Sequence, residues 1–361
     1  MRSPPCYIIS IPVQTKTSMR SLSLRAACRR LAAVMGLWML AIQASGAPTV
    51  SGWEIAKIDG RDYVSLESMK RFYNFTKLGR AGNSLVLENK KVEMKLTVGG
   101  NECLMNGVKF VFTHAVATVG DKPYVSRMDL AKLIDPVLRP NFIKNAADFR
   151  TVILDPGHGG KDPGATNSLG TEANYNVKVA NRTKALLEAK GFNVVMTRTS
   201  DRYLTLQERV DFANAVRDNA VFVSIHFNSG GRAARGIETF TLSPPGVSHY
   251  GRGLIAADSQ ERVGNEHDSA NIALATSVHG SILRRLQKHS FDRGIKRARF
   301  SVLSGVCHPA ILLEGGFMTH PYEARLIDNE AYQNTLANGI ADAILKYRYA
   351  VAAKPPSSAP R

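Results

Sequence analysis

The sequence predicts an α/β protein, a layered sheet flanked by helices, preceded by a smaller, strand-rich α+β region. Three observations carry this. From Thr151 onward, apolar runs of strand length alternate with amphipathic stretches of helical length. Before residue 146 the apolar runs are short and are punctuated by Gly and Asn turns such as Gly99-Gly100 and Asn106-Gly107. Residues 141–150 between them read as a polar join, and 361 residues leave room for two domains.

At the start, residues 1–47 hold six basic side chains (Arg2, Lys16, Arg20, Arg25, Arg29, Arg30) and no acidic ones. A short apolar run, LAAVMGLWMLAI, and a small polar QASGA follow the last arginine. This is the layout of a secretory signal, with cleavage expected between Ala44 and Ala47. The run is short for a bilayer span, so no stable membrane anchor is expected after cleavage. Arg29-Arg30 directly before it leaves the twin-arginine route open, Met19 is an alternative start, and the mature chain is expected in the periplasm or cell envelope.

The whole chain has 47 Lys and Arg against 30 Asp and Glu, a balance of +17. Without the leader it is 41 against 30, or +11, which suits an anionic partner. No basic stripe interleaved with aromatics is present, so nucleic acid is not the expected partner. Cys6 and Cys28 lie in the leader. Cys103 and Cys307 lie in different regions and read as two buried thiols, with an interdomain disulfide as the alternative.

Residues 48–146 form the first region, with strands expected at 85–87, 92–98 and 109–113. Two of its segments echo each other, GRDYVSLESMKRF at 60–72 and DKPYVSRMDLAKL at 121–133. His114 stands alone beside an apolar strand and reads as structural. The region reads as a spacer or wall-binding domain.

The second region spans 151–349. Strands are expected at 151–154, 193–198, 221–228, 237–242 and 309–317, and helices at 174–190, 204–218, 268–288 and 330–347. Thr199-Ser200-Asp201 offers caps for the second of these helices. Residues 350–361 form a Pro- and Ser-rich tail that reads as disordered.

Four acidic or imidazole side chains stand at or just beyond strand ends: His158, Glu172, His226 and Glu314. Strand ends gather at one sheet edge, where ligands bind, so residues 68 and 88 positions apart can meet there. Two His and one carboxylate, with a fourth position for water, is the ligand set of a catalytic zinc site, and a further carboxylate can serve as general base. Asp155 or a loop carbonyl is the expected partner for a ring nitrogen of the His pair.

The second region resembles the zinc-dependent N-acetylmuramoyl-L-alanine amidases of the type 3 family. ILDPGHGGKDPGA, the Glu172 loop, VVMTR then LQERVDFAN, FVSIHFN, GIETF and PAILLEGGFMTH occur in family order. The resemblance implies a mixed sheet flanked by helices. It implies one Zn2+ held by His158, Glu172 and His226, with Glu314 as the catalytic glutamate. It also implies that Asn228 supports the site or touches substrate. Arg209 and Asn214 match a family helix and read as structural. The implied substrate is peptidoglycan, cut between N-acetylmuramic acid and the L-alanine of the stem peptide, in wall remodelling or daughter-cell separation. A protein activator is left open. The first region resembles, more weakly, the small N-terminal domain of copper amine oxidases and of several bacterial wall enzymes.

Residues 243–269 are longer than the family's usual link and carry His249 and His267. They are expected to form a substrate-groove loop, with an inhibitory helix as the alternative. His279 and His308 read as structural. A zinc carboxypeptidase acting on stem peptides, and a non-catalytic wall-binding scaffold, are the competing classes.

Overall fold

The computed structural model describes residues 52–144 and 146–352; the expected signal and most of the expected tail lie outside them. In the first region the strands are β1 (Ile55–Ile58), β2 (Arg61–Ser65), β3 (Lys77–Ala81), β4 (Ser84–Glu88), β5 (Glu93–Thr97), β6 (Glu102–Met105), β7 (Val108–Val111), β8 (Ala117–Val119) and β9 (Lys122–Ser126). Helix α1 (Leu66–Phe72) follows β2, and a chain of short helical turns follows β9. The two echoing segments pair with each other: β2 and β9 run antiparallel, with Val64 opposite Val125. Each then enters its helix through a serine cap, Ser65 accepting from Ser68 N and Ser126 from Asp129 N. The sequence echo is therefore a structural duplication.

The second region contributes β10 (Thr151–Pro156), the hairpin β11 (Thr166–Asn167) and β12 (Gly170–Thr171), then β13 (Asn193–Met196), β14 (Ala220–Asn228), β15 (Ile237–Leu242), β16 (Asp292–Ala298) and β17 (Ala310–Phe317). Its helices are α2 (Glu172–Glu188), α3 (Leu206–Ala215), α4 (Asp268–Leu286), α5 (Ser301–Gly305), α6 (Pro321–Asp328) and α7 (Glu330–Ala352). Strands β13, β10, β14 and β17 are parallel, and β15 runs against β17. The sheet is thus mixed and flanked by helices, as expected. Strand side chains alternate between faces, and two apolar clusters result. One holds Val152, Val221, Val223, Ile311 and Leu313 under α2, α4 and α7. The other holds Ile153, Phe222, Phe240 and Leu312 under the shorter α3 and α5.

Three expectations are corrected. Helix α3 is capped by Thr205, in a reciprocal capping box with Glu208, and not by residues 199–201. The last helix runs on to Ala352, past the expected end at 347. Strand β16, DRGIKRA, and helix α6 were not anticipated. Strand β16 is also where the two regions meet. It pairs with β15 on one side and, in parallel, with β7 on the other, Ile295 opposite Phe110. One eleven-stranded sheet results. The buried Arg297–Asp129 ion pair (3.0 Å) and the bond from Lys109 N to Asp292 (2.7 Å) tie the seam. Cys103 is buried and Cys307 half-buried, and no disulfide joins them. Among the described residues, no helix is long and apolar enough to cross a membrane.

Candidate active site

The site lies on the α3/α5 face, at the carboxyl ends of β10, β14 and β17. Alternation along β14 sends Phe222, Ser224, His226 and Asn228 to this face. In the parallel ladder Glu314 of β17 stands opposite His226. His158 lies two residues beyond β10 and has a left-handed backbone, φ +59°. Glu172 is the first residue of α2, after the Thr171 cap. The structure brings His158, Glu172 and His226 together: one ligand atom from each lies within 4.8 Å of the others, as a metal ion requires.

Glu172 is the hub of this group. Its Oε1 lies 2.9 Å from His226 Nδ1 and 3.2 Å from His158 Nε2, and its Oε2 accepts from Ala165 N (2.9 Å). Burial opposes its charge, but the bonds from both imidazoles outweigh burial and hold the carboxyl well below the usual range. His158 Nδ1 donates to Asp162 Oδ2 (2.8 Å), which aims Nε2 inward. Burial disfavours the charged ring of His158, yet Glu172 and Asp162 together raise its pKa above the ordinary 6.5.

Close packing here depends on absent side chains. A Cβ on Gly157 would lie 2.6 Å from Nδ1 of His226 and nearer still to Cε1 and Nε2. One on Gly164 would lie 2.5 Å from Glu172 Oε2.

The turn that carries His158 is clamped from below. Asp155 does not reach a His ring, contrary to expectation. It is fully buried and accepts from Thr197 Oγ1 (2.6 Å), Arg209 Nη1 (2.7 Å) and Ser224 Oγ (2.8 Å). Arg209 also donates to the carbonyls of Pro156 and His158, and Arg198 to those of Pro156 and Gly157. Asn214 is remote and joins Gly305 O to Cys307 N. His279 bonds Thr239 and Asp292, and His308 lies 3.1 Å from Ala213 O, so both are built into the framework.

Glu314 has a different setting. Its Oε2 is shielded from solvent and has no hydrogen-bond partner. Burial, with the negative charges of Glu172 and Glu238 nearby, pushes its pKa well above the ordinary 4.5. On the neighbouring strand it stands opposite the His226 imidazole. Asn228 donates to Glu238 Oε2 (3.0 Å). Glu238 stands opposite Glu314 on β15 and also accepts from Lys296 (2.8 Å) and Arg293. Sequence reasoning missed Asp162, Glu238, Arg293 and Lys296. The one available signal was a carboxylate inside the apolar run IETFTL.

Residues 243–269 leave β15 at the sheet edge opposite this group. They are pinned there by Arg299, which bonds the carbonyls of Pro244 and Val247 and pairs with Asp258. Within them lie two 3-10 turns, Ala256–Ser259 and Val263–His267, and not an inhibitory α-helix. His249 accepts from Arg299 N, and His267 contacts Cys307 O. The segment approaches the site through Tyr250, whose ring lies 4.3 Å from the Lys296 ammonium.

Residues 152–346 match the family model described as N-acetylmuramoyl-L-alanine amidase. The chain is 32% identical over 217 residues to the N-acetylmuramoyl-L-alanine amidase AmiC of Neisseria meningitidis, 54% of this chain and 52% of that one. It is 33% identical over 198 residues to the uncharacterized protein YqiI of Bacillus subtilis, covering 55% of this chain and 84% of that one. Among solved structures, the catalytic domain of CwlV, an amidase from Paenibacillus polymyxa, is 32% identical with a TM-score of 0.46, over 55% of this chain and 98% of that one. The chain thus spans about half the length of the Neisseria relative.

Proposed function

We propose, for a chain that belongs to the N-acetylmuramoyl-L-alanine amidase family, that it hydrolyses the amide between the lactyl group of N-acetylmuramic acid and the L-alanine of the stem peptide. The observation that carries this is the His158–Glu172–His226 group with Glu314 opposite His226 on the neighbouring strand. Two imidazoles and a carboxylate suit the borderline softness of zinc, and the unpartnered Glu314 Oε2 fits a group that takes a ligand or a water. Zinc held by these three residues would polarise the amide carbonyl and acidify an attacking water.

The chain's own residues do the rest. Glu314 takes the proton of the water and passes it to the nitrogen that leaves with alanine. Asp162 holds the tautomer of His158, and Arg198 and Arg209 hold the turn that presents it. Asn228 acts through Glu238 as a support of the groove wall.

In this reading residues 1–47 direct export to the periplasm or envelope. Residues 48–146 act as a spacer or wall-binding region, and 151–349 as the catalytic region. The basic mature chain suits the anionic wall.

The test is mass spectrometry of purified sacculi digested by the mature protein, with a chelator control. Free stem peptides beginning in alanine, blocked by chelator, are expected. Trimmed peptides still attached to glycan point instead to a carboxypeptidase, and no release at all to a binding scaffold.

A further inference from the structure

We propose that Arg293 binds a carboxylate of the stem peptide downstream of the scissile bond, and so selects acidic stems. This deepens the amidase reading and rests on it. Three side chains stand in a row across one sheet face. Glu314 is on β17, Glu238 faces it on β15, and Arg293 lies on β16 where the β15–β16 register breaks between Ile237 and Thr239. Such irregularities re-aim a side chain beside a site. Gly294, at φ +93°, completes the irregularity. Gly236 makes room on the other strand: a Cβ there would lie 2.8 Å from Arg293 Cγ.

The charge balance leaves Arg293 a cation to spend. Glu238 is already paired with Lys296, which is 3% exposed and faces no solvent. Arg293 gives Glu238 only its Nε, and its guanidinium rests over the Phe317 ring at 4.9 Å. The side chain is 38% exposed, and among the described residues its hydrogen bond runs from Nε, leaving the two terminal nitrogens turned to solvent-accessible space. They present a planar fork of N–H donors matched to a carboxylate. Arg235, exposed and stacked on Phe291 at 4.0 Å, adds a second cation to the same rim.

Distance assigns the register. Strands lie ~4.8 Å apart, so two spacings put the Arg293 backbone about 10 Å from that of Glu314. An extended peptide covers ~3.5 Å per residue, so a stem running from β17 across the sheet meets the Arg293 side chain within about two to three residues of the cleaved bond. Peptidoglycan stems carry carboxylates there, on the second residue and in many walls on the third.

The experiment uses the full zinc-loaded chain and synthetic N-acetylmuramoyl tripeptides. The second- and third-residue carboxylates are each supplied as acid or carboxamide. Wild type is expected to prefer one acid form over its amide by roughly tenfold in kcat/KM. Arg293→Gln should erase that preference, chiefly through KM, and Arg293→Lys should keep part of it. Equal cleavage of acid and amide forms by wild type would overturn the proposal. So would an Arg293→Gln variant, folded by thermal melt, that slows both forms alike. Cleavage of no form by wild type would overturn the amidase reading itself, and this proposal with it.

Discussion

Replacing Gly157 by alanine should empty the metal site without unfolding the protein. The new Cβ would lie 2.6 Å from Nδ1 of His226 and closer to two other ring atoms. The nearest ring atom, Cε1, would lie at 2.0 Å, and ordinary contact needs ~3.5 Å or more, so the ring must retreat by about 1.5 Å. It cannot do so freely, because its partner Glu172 is itself fixed by Ala165 N and Phe227 N. Metal–ligand distances tolerate only about 0.2 Å. A misplacement of more than about 1 Å should therefore weaken zinc binding by at least the 10- to 100-fold that loss of an outer-sphere partner causes. The methyl group adds little apolar mass and lies outside both core clusters, so the metal-free protein should melt within a few degrees of wild type. Zinc affinity measured against a competing chromophoric chelator, with melting curves in excess chelator, separates the two effects. Wild-type zinc affinity in Gly157→Ala would refute the argument that this glycine exists to admit His226.

Three further outcomes follow from the same contacts. Asp162→Ala frees His158 Nδ1 and should cost about 10- to 100-fold in zinc affinity, read by the same titration; an unchanged value would leave Asp162 as a mere loop residue. Glu314→Gln should retain one zinc per chain by elemental analysis and lose at least about 100-fold in turnover; loss of the metal would make Glu314 a ligand instead. The pH dependence of the chelated protein has a definite sign. His158 has a folded pKa raised above 6.5 by Glu172 and Asp162, so its stabilising contribution is complete below 6.5 and disappears as pH rises through the folded value. The melting-temperature margin of wild type over His158→Ala should therefore be larger at pH 6 than at pH 8.5, and a margin that grows with pH would contradict the geometry.

Much of this arrangement is legible in the sequence, for identifiable reasons. The strands β10, β14 and β17 are buried on both faces, so they read as unbroken apolar runs. Each ends where a charged or imidazole side chain interrupts it, which marks the edge where His158, His226 and Glu314 converge. Strand β16 is hidden by the same logic reversed. Its Arg293, Lys296 and Arg297 find buried or half-buried acids in Glu238 and Asp129, partners that lie far away in the chain. A strand whose polarity is satisfied by tertiary pairing carries no hydropathy signal. The joining of the two regions through β16 and β7 is hidden with it. Asp162 is missed because a lone acid in a Gly- and Pro-rich loop reads as turn chemistry. Asp155 is misassigned because its partners, Thr197, Arg209 and Ser224, come from three separate elements. Nothing in residues 243–269 says that Arg299, thirty positions beyond, pins them at the far edge.

The central claim is the identity of the bond that is cut, and isotope placement tests it most directly. The zinc-loaded protein would be given an N-acetylmuramoyl tripeptide in water enriched in oxygen-18, and the products weighed. Hydrolysis at the muramoyl amide puts one heavy oxygen in the lactyl carboxylate and none in the released peptide, whose amino terminus is a free alanine. A heavy oxygen in the peptide, with the lactyl amide intact, would mean that the His158, Glu172, His226 and Glu314 constellation serves a carboxypeptidase.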